Sequence, residues 1–172
     1  MKKLFRIALF SALAVLTVSG QEIESVGPAK ALELTNNPTT YLVDVRSVAE
    51  YVLIGHPVMA YNVPLSFWSE TEATFVPNDE FVRDLQARFK PEDVLIFICR
   101  AGGRSLRAAQ AARQAGFAKV VNVTDGFEGK RDVDGHFTVG GWKPAGLPYT
   151  YDIDPKLAYQ EKKSNAASLV RI

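Results

Sequence analysis

The sequence predicts an α/β fold with a largely parallel central sheet of about five short strands, flanked by helices on both faces. Short apolar segments of strand character alternate along the chain with helical segments, which is the order typical of a parallel sheet. Every residue of Val94–Ile98 is apolar, as in a central parallel strand that is covered on both faces. The chain has 172 residues and shows no internal repeat, so we expect one domain.

Local signals place the elements along the chain. Pro28 is tolerated in the first turn of a helix, and Gly116 stops another. Asn78 is a good N-cap, followed by Asp79 and Glu80 in the first turn. In chain order we expect a strand at residues 25–26, a helix over 27–34, strands over 41–45 and 58–63, a helix over 78–89, a strand over 94–98, a helix over 104–115 and a strand over 119–123.

The first twenty residues have the layout of a secretory signal peptide. Lys2, Lys3 and Arg6 precede an apolar stretch over residues 7–18, and small residues follow up to Gly20. This stretch is shorter than the roughly 20 residues that a transmembrane helix needs. We therefore expect cleavage after Gly20 and a secreted, periplasmic protein without stable membrane insertion after cleavage. An uncleaved membrane anchor is the alternative.

The organisation that follows has three parts. We assign residues 1–20 to the signal peptide, residues 21–150 to the folded domain and residues 151–172 to a C-terminal tail, in which a short helix starts at Asp154. Without the signal peptide the chain keeps 17 basic and 19 acidic residues, a net charge of −2. Such a charge does not fit a protein that binds nucleic acid by neutralising phosphates.

The chain has a single cysteine, Cys99. One thiol excludes an intramolecular disulfide, and with two histidines it leaves too few ligands for a zinc site, so we expect no metal. An exposed free thiol is a liability in an oxidising compartment. Cys99 is therefore either buried and inert or kept for its chemistry.

The most informative segment is the loop after the most hydrophobic strand, Cys99-Arg100-Ala101-Gly102-Gly103-Arg104-Ser105. Ligands of open parallel sheets bind beyond the carboxyl ends of the strands. Glycines allow backbone N–H groups to converge on one centre, and the N-terminus of the following helix adds positive potential. We therefore expect Cys99 to be largely thiolate, and Arg104 to supply a forked cation suited to a sulfonate or phosphate. The alternative is a structural cysteine beside a tight turn.

The loop is one of four motifs that occur in a fixed order. The others are Leu42-Val43-Asp44-Val45-Arg46, then Glu50-Tyr51 with Gly55-His56 and Ala60-Tyr61-Asn62-Val63-Pro64, and finally Trp142 with Gly146-Leu147-Pro148. Each motif is weak alone, but together they resemble those of the rhodanese family, the thiosulfate sulfurtransferases. The resemblance covers residues 24–150 and implies a rhodanese-like domain.

The resemblance implies a cycle of sulfane-sulfur transfer. Cys99 would attack the outer sulfur of thiosulfate or a related small anionic donor, release sulfite and become a persulfide. A thiol, cyanide or a protein acceptor would then take the sulfur, and no cofactor would be needed. The residues implied in binding the donor and the persulfide are Arg100, Ala101, Gly102, Gly103, Arg104 and Ser105.

Two other functions remain open at this point. A cysteine phosphatase also holds an anion in a loop closed by arginine, but its loop is one residue longer, and no acidic general acid is evident here by spacing. A rhodanese-like module could also carry sulfur or bind a partner without turnover. Modules of that kind typically lose the cysteine, whereas this chain keeps Cys99 and Arg104.

The chain departs from the family pattern in the segment before Trp142. Residues 130–139 are an added charged, glycine-containing stretch, within an insertion at about residues 127–141. The sequence does not decide whether this stretch forms a rim near Cys99 or lies on the far side. For Asp44 and Arg46 we expect an ion pair or hydrogen bond that supports the loop, and for Trp142 a packing role.

Overall fold

The structure is a computed structural model that describes residues 22–160, so the predicted signal peptide lies outside the described residues. The elements are β1 (Glu24–Val26), α1 (Pro28–Leu34), β2 (Thr40–Asp44), α2 (Val48–Leu53), β3 (His56–Pro57), β4 (Tyr61–Asn62), β5 (Ser66–Ser69), β6 (Thr74–Pro77), α3 (Phe81–Gln86), β7 (Val94–Ile98), α4 (Gly103–Gln114), β8 (Lys119–Val123), β9 (Lys130–Arg131), β10 (Phe137–Val139) and β11 (Tyr149–Thr150).

The central sheet has five parallel strands in the order β1–β8–β7–β2–β4. Alternate residues of β7 point to opposite faces, so Leu95 packs into one buried cluster and Ile96 into the other. The first cluster is completed by side chains of α3 and α4, and the second by Ala31 of α1 and Tyr51 of α2. The predicted fold class, with a parallel sheet of five strands covered on both faces, is confirmed.

Helix α2 was not among the predicted elements, although its sequence carries a start signal. The Ser47 hydroxyl accepts a hydrogen bond from the Glu50 N–H, and the Glu50 carboxylate accepts one from the Ser47 N–H. This reciprocal pair is a capping box, and it satisfies backbone donors that the start of a helix otherwise leaves free. The same carboxylate therefore begins α2 and, as described below, reaches the cysteine loop.

The predicted helix over residues 78–89 is shorter in the structure. Helix α3 begins after Glu80, and Asn78 is not its N-cap. Instead, the Asn78 side chain accepts a hydrogen bond from the Glu80 N–H and donates one to the Pro64 carbonyl. Asn78 thus holds the turn before the helix, because its side chain competes for backbone partners in a non-helical conformation.

Two hairpins extend from the sheet. Strands β5 and β6 pair antiparallel before α3, a hairpin absent from the predicted elements. Strands β9 and β10 form a second hairpin inside the predicted insertion. The Asp132 carboxylate stabilises its turn by accepting hydrogen bonds from the backbone N–H groups of Asp134 and His136 and from the Thr138 hydroxyl.

The residues that follow β11 lie against the domain. The Asn62 N–H donates to the Leu157 carbonyl at 2.8 Å, and the Arg88 guanidinium donates to the Ala158 carbonyl at 3.0 Å. From Asp154 the chain makes a turn rather than the expected short helix. The domain boundary at residue 150 stays a prediction. Within residues 22–160, no helix is long and apolar enough to cross a membrane.

Candidate active site

Cys99 directly follows β7 at the carboxyl edge of the sheet, where the sequence placed it. Its side chain is buried, with 1% of its surface exposed. The Sγ atom lies 3.2 Å from the Gly102 nitrogen, whose N–H donates to it, and 3.3 Å from the Ser105 hydroxyl oxygen. At the start of α4 the Gly102 N–H therefore donates to the sulfur, and the Ser105 hydroxyl lies within hydrogen-bond reach of it.

Gly102 is the glycine that the loop conformation requires. Its φ is +97°, and a Cβ at this position would lie 1.9 Å from the Thr124 carbonyl oxygen. Gly103, in contrast, is not in the left-handed region, and a Cβ there would meet no atom within 4 Å beyond its chain neighbours and the backbone of its own helix. Of the two loop glycines, Gly102 is therefore the one whose positive φ the curl of the loop requires.

The segment after β8 holds the backbone of the loop in place. The Phe127 N–H donates to the Cys99 carbonyl at 2.7 Å, and the Glu128 N–H donates to the Arg100 carbonyl at 3.0 Å. Gly126 allows this close approach, since a Cβ at that position would lie 2.5 Å from the Cys99 carbonyl oxygen. The first two residues of the loop are thus anchored by backbone contacts.

The Ser105 hydroxyl belongs to a buried polar network under the loop. Its oxygen lies 3.3 Å from Cys99 Sγ, 2.9 Å from the Gly102 carbonyl oxygen and 2.7 Å from Asn122 Oδ1. A hydroxyl has one proton, so Ser105 can donate to one of these acceptors at a time. Sequence reasoning missed Asn122. The signal was a single amide side chain in the otherwise apolar centre of β8.

Arg104 forms a two-pronged ion pair with Glu50. Nη1 lies 2.8 Å from Oε2, and Nη2 lies 2.5 Å from Oε1. The pair is partly buried, with 20% of the Arg104 side chain and 21% of the Glu50 side chain exposed. The fork that we expected to face a donor is thus occupied by a carboxylate. Sequence reasoning missed this role, although Glu50 stands in one of the four motifs.

The ion pair determines the protonation of Glu50. Burial disfavours the ionised carboxylate, but the hydrogen bonds and charge of Arg104, together with the Ser47 N–H, outweigh that effect. Their combined effect lowers the pKa of Glu50 to about 2. Glu50 therefore carries no proton near neutral pH and cannot act there as a general acid.

A cavity of about 1120 Å³ opens beside the cysteine loop. Five charged residues are in its lining, namely Arg100, Arg104, Arg107, Glu50 and Asp79. The remainder is largely apolar. It consists of Leu65, Ser66, Phe75, Pro77, Asn78, Phe81, Val82, Ala101, Gly103 and Ala111.

The insertion lies beside the loop, which settles a placement that the sequence left open. The guanidinium carbon of Arg100 lies 5.4 Å from the centre of the Phe137 ring, and that of Arg131 lies 4.6 Å from it. Both distances are in the range of cation–π contacts. The β9–β10 hairpin therefore forms a rim against the first residue after Cys99.

The ion pair expected between Asp44 and Arg46 is present and fully buried. The Arg46 guanidinium donates to both Asp44 carboxylate oxygens and to the Gly55 carbonyl. Its carbon lies 4.3 Å from the centre of the Phe127 ring. The Phe127 N–H also donates to the Cys99 carbonyl, so Phe127 contacts both the ion pair and the loop, and the supporting role of the pair stays a prediction.

Trp142 has the packing role expected from the sequence. Its side chain is 1% exposed and belongs to the cluster on the α1 and α2 face of the sheet. The indole N–H donates to the Pro148 carbonyl at 2.9 Å, so the polar atom of this buried ring is satisfied.

The fold and the site define a class of α/β proteins that carry a buried cysteine in the loop between a central parallel strand and a helix. The family model described as the rhodanese-like domain matches residues 27–131. The chain belongs to the rhodanese family. The match ends within the β9–β10 hairpin, where the chain departs from the sequence pattern of the family.

Individual proteins support the same assignment. The chain is 32% identical over 111 residues to thiosulfate sulfurtransferase 18 of Arabidopsis thaliana, covering 64% of this chain and 80% of that protein. It is 36% identical over 84 residues to senescence-associated protein DIN1 of Raphanus sativus. That match covers 49% of this chain and 44% of DIN1, so the chain spans less than half the length of this relative. The crystal structure of Rv0390 from M. tuberculosis superposes with a TM-score of 0.66 at 36% identity, covering 75% of this chain and 98% of that chain.

Proposed function

We propose that the protein is a sulfurtransferase that moves sulfane sulfur from thiosulfate or a related donor to a thiophilic acceptor through a persulfide on Cys99. The observation that carries this proposal is the hydrogen bond from the Gly102 N–H to Cys99 Sγ, with the Ser105 hydroxyl also within reach of the sulfur. These groups would stabilise the persulfide anion that forms on Cys99.

The first step forms the covalent intermediate. The Cys99 thiolate attacks the outer sulfur of thiosulfate, a new S–S bond forms, and the bond to the sulfonate sulfur breaks with its electron pair leaving on sulfite. The sulfonate end would face Arg100 and Arg107 in the lining of the cavity, with Arg104 held beside them by Glu50. Charge and atoms balance without an oxidant or a metal ion.

The second step regenerates the enzyme. A thiolate or cyanide attacks the outer sulfur of the persulfide, and the electron pair of the broken S–S bond returns to Cys99. The sulfur of Cys99 is buried in the unmodified protein. A persulfide adds one more sulfur atom beyond Sγ, so the transferable atom would lie closer to the cavity, where an acceptor can reach it.

Two observations favour sulfur transfer over phosphate ester hydrolysis. Four residues separate Cys99 from Arg104, which leaves a smaller cradle than a phosphoryl group over sulfur needs. Glu50, a carboxylate at the site, is ionised at neutral pH and has no proton to give to a leaving group.

The decisive experiment follows sulfur on the protein. Wild-type protein mixed with thiosulfate should gain one sulfur atom by intact mass and lose it to cyanide as thiocyanate, whereas Cys99→Ser should do neither. A persulfide that forms but passes to no acceptor would favour the carrier module. A folded protein that takes sulfur from neither thiosulfate nor polysulfide would refute the proposal.

Export is part of the same proposal, with residues 1–20 as a cleaved signal peptide. The basic start and the short apolar stretch support it. The intact mass of protein recovered from the periplasmic fraction of an expressing bacterium tests it. A mass that starts at Gln21 is expected, while a mass that includes residues 1–20 in a membrane fraction would favour the uncleaved anchor.

A further inference from the structure

The end of α2, the turn after β3 and the segment that begins with β11 carry an exposed apolar surface, which we call the β3–β11 face. Its large apolar side chains range in exposure from 37% at Ile54 to 73% at Leu53. The seven residues are Leu53 and Ile54 at the end of α2, Val58 and Met59 in the turn after β3, and Tyr149, Tyr151 and Ile153 in or after β11. These seven residues are not in the lining of the cavity beside the cysteine loop, so the proposed transfer of sulfur makes no use of them.

Contacts within the β3–β11 face bring its two chain segments together. Strands β3 and β11 pair antiparallel, with Tyr149 opposite Pro57. The Lys143 ammonium joins the segments, because it donates to the Ile54 carbonyl at 3.0 Å and to the Tyr151 hydroxyl at 2.8 Å. The rings of Tyr149 and Tyr151 meet edge to face with their centres 5.9 Å apart. The exposed side chains are therefore neighbours in one patch.

The size of the patch matches one side of an interface between two protein chains. Aromatic side chains bury about 150–250 Å² each when they are covered, so seven large side chains that are about half exposed leave on the order of 600 Å² open to water. That area is at the upper end of the largest apolar patches of monomers, roughly 300–600 Å². A standard interface takes about 800 Å² from each partner, and about 65% of it is apolar in homodimers. The β3–β11 face therefore supplies the apolar area that a homodimer needs.

The charges on the face indicate which partner covers it. Lys143 donates to a carbonyl and a hydroxyl rather than to a carboxylate, and Asp152 and Asp154 are exposed just after β11. A two-fold interface sets the same surface of both chains face to face, so each charge needs its opposite within the same patch. Lys143 of one copy and Asp152 of the other meet that requirement. A surface of anionic lipid would instead repel both aspartates.

We propose that the protein forms a two-fold symmetric dimer in which the β3–β11 face of one copy packs against the same face of a second copy. Tyrosine and methionine are enriched in such interfaces, and the face presents Tyr149, Tyr151 and Met59. The cavity beside the cysteine loop stays open in both copies. Helix α2 carries Leu53 at its end and Glu50 near its start, so the interface holds the helix whose carboxylate reaches Arg104.

Sedimentation equilibrium of the purified protein measures its mass in solution, at concentrations up to and above the micromolar range in which interfaces of this size form. A mass of two chains is expected. Leu53→Glu places two carboxylates in the apolar interface and should raise the dissociation constant about 30-fold or more, the effect of losing an interface hot spot. Val133→Glu makes the same kind of change at a fully exposed side chain of the β9–β10 hairpin, and it should leave the dissociation constant unchanged.

A charge exchange tests the two-fold pairing itself. Lys143→Asp and Asp152→Lys should each weaken the dimer, because each variant meets its own copy with like charges. An equimolar mixture of the two variants should associate as the wild type does, since both pairs across the interface then have opposite signs. Urea unfolding shows that each variant is folded before the two are mixed. A change within a single chain does not produce recovery on mixing.

The inference makes three demands, and each can fail. A wild-type chain that stays monomeric, a dimer that keeps its dissociation constant in Leu53→Glu, or a mixture that associates no better than its separate variants would overturn it. Monomeric wild-type protein that sediments with vesicles of phosphatidylglycerol and phosphatidylcholine, and loses this property in Leu53→Glu, would assign the face to a membrane surface and overturn the dimer. None of these measurements depends on sulfur transfer, so the proposed function is tested separately.

Discussion

Glu50 and Arg104 lie 54 residues apart in the chain and meet through two hydrogen bonds of 2.8 and 2.5 Å at the edge of the cavity. The same carboxylate accepts hydrogen bonds from the N–H and the hydroxyl of Ser47. One side chain therefore joins the start of α2 to the cysteine loop and neutralises the arginine that closes it. Each of these contacts has a measurable consequence.

The first consequence concerns donor affinity. In Glu50→Gln the cavity loses a negative charge beside the site of an anionic donor, so the KM for thiosulfate should fall by about threefold or more, with a steeper dependence on ionic strength. Glu33→Gln, which removes an exposed carboxylate paired with Lys30, is the matched control and should leave the KM unchanged. A KM that rises in Glu50→Gln would show that the carboxylate orients Arg104 for the donor.

The second consequence concerns stability and pH. The pKa of Glu50 is lowered from its ordinary value of 4.5 to about 2 in the folded protein. A carboxylate with a lowered pKa stabilises the fold above its ordinary pKa, and this contribution disappears as the pH falls towards the lowered value. The difference in free energy of unfolding between wild type and Glu50→Gln should therefore be largest above pH 4.5 and shrink towards pH 2.

Urea unfolding at a series of pH values measures this difference directly. Glu33→Gln serves again as the control, because its exposed pair should contribute little at any pH. A difference between wild type and Glu50→Gln that is the same at pH 6 and pH 3 would contradict the role given to the ion pair.

The two loop glycines make a matched pair for a third prediction. Gly102→Ala would place a Cβ 1.9 Å from the Thr124 carbonyl oxygen at a φ of +97°, so the loop must move and persulfide formation should be lost. Gly103→Ala meets no atom within 4 Å beyond its chain neighbours and its own helix, so it should fold normally, with a gain of about 0.5–1 kcal/mol from reduced freedom of the unfolded chain. Intact mass after thiosulfate treatment and urea unfolding give both results. Wild-type activity in Gly102→Ala would contradict the geometry of the loop.

The parts of the structure that were predictable from sequence are those encoded locally. Strand β7 is a run of five apolar residues, and the loop after it places Cys99 and Gly102 within four positions of the chain. The contact between Glu50 and Arg104 depends on side chains from distant segments, and no local pattern specifies it. Helix α2 has six residues, too few for a helical period to be visible, so its capping box was its sole local signal.

The hairpins show a second limit. The β5–β6 strands have four residues each and a partly exposed face, so alternation of apolar and polar residues is not apparent in them. The insertion was recognised because it interrupts a family pattern, but its position beside Arg100 follows from the tertiary course of the chain. The residues that the β5–β6 hairpin contributes to the cavity lining were therefore not predictable from the sequence, whereas the role of the cysteine loop was.

Phe137 provides the last prediction, because its ring contacts the guanidinium groups of both Arg100 and Arg131. In Phe137→Ala the Arg100 side chain loses the aromatic ring that it contacts beside the cysteine loop. The KM for thiosulfate should rise about threefold while kcat stays within about twofold, since an exposed cation–π contact is worth about 0.5–1 kcal/mol. Phe137→Tyr should restore the wild-type KM, and Val133→Ala on the same hairpin should not alter it. A fall in kcat with unchanged KM would instead assign Phe137 to the chemistry of transfer.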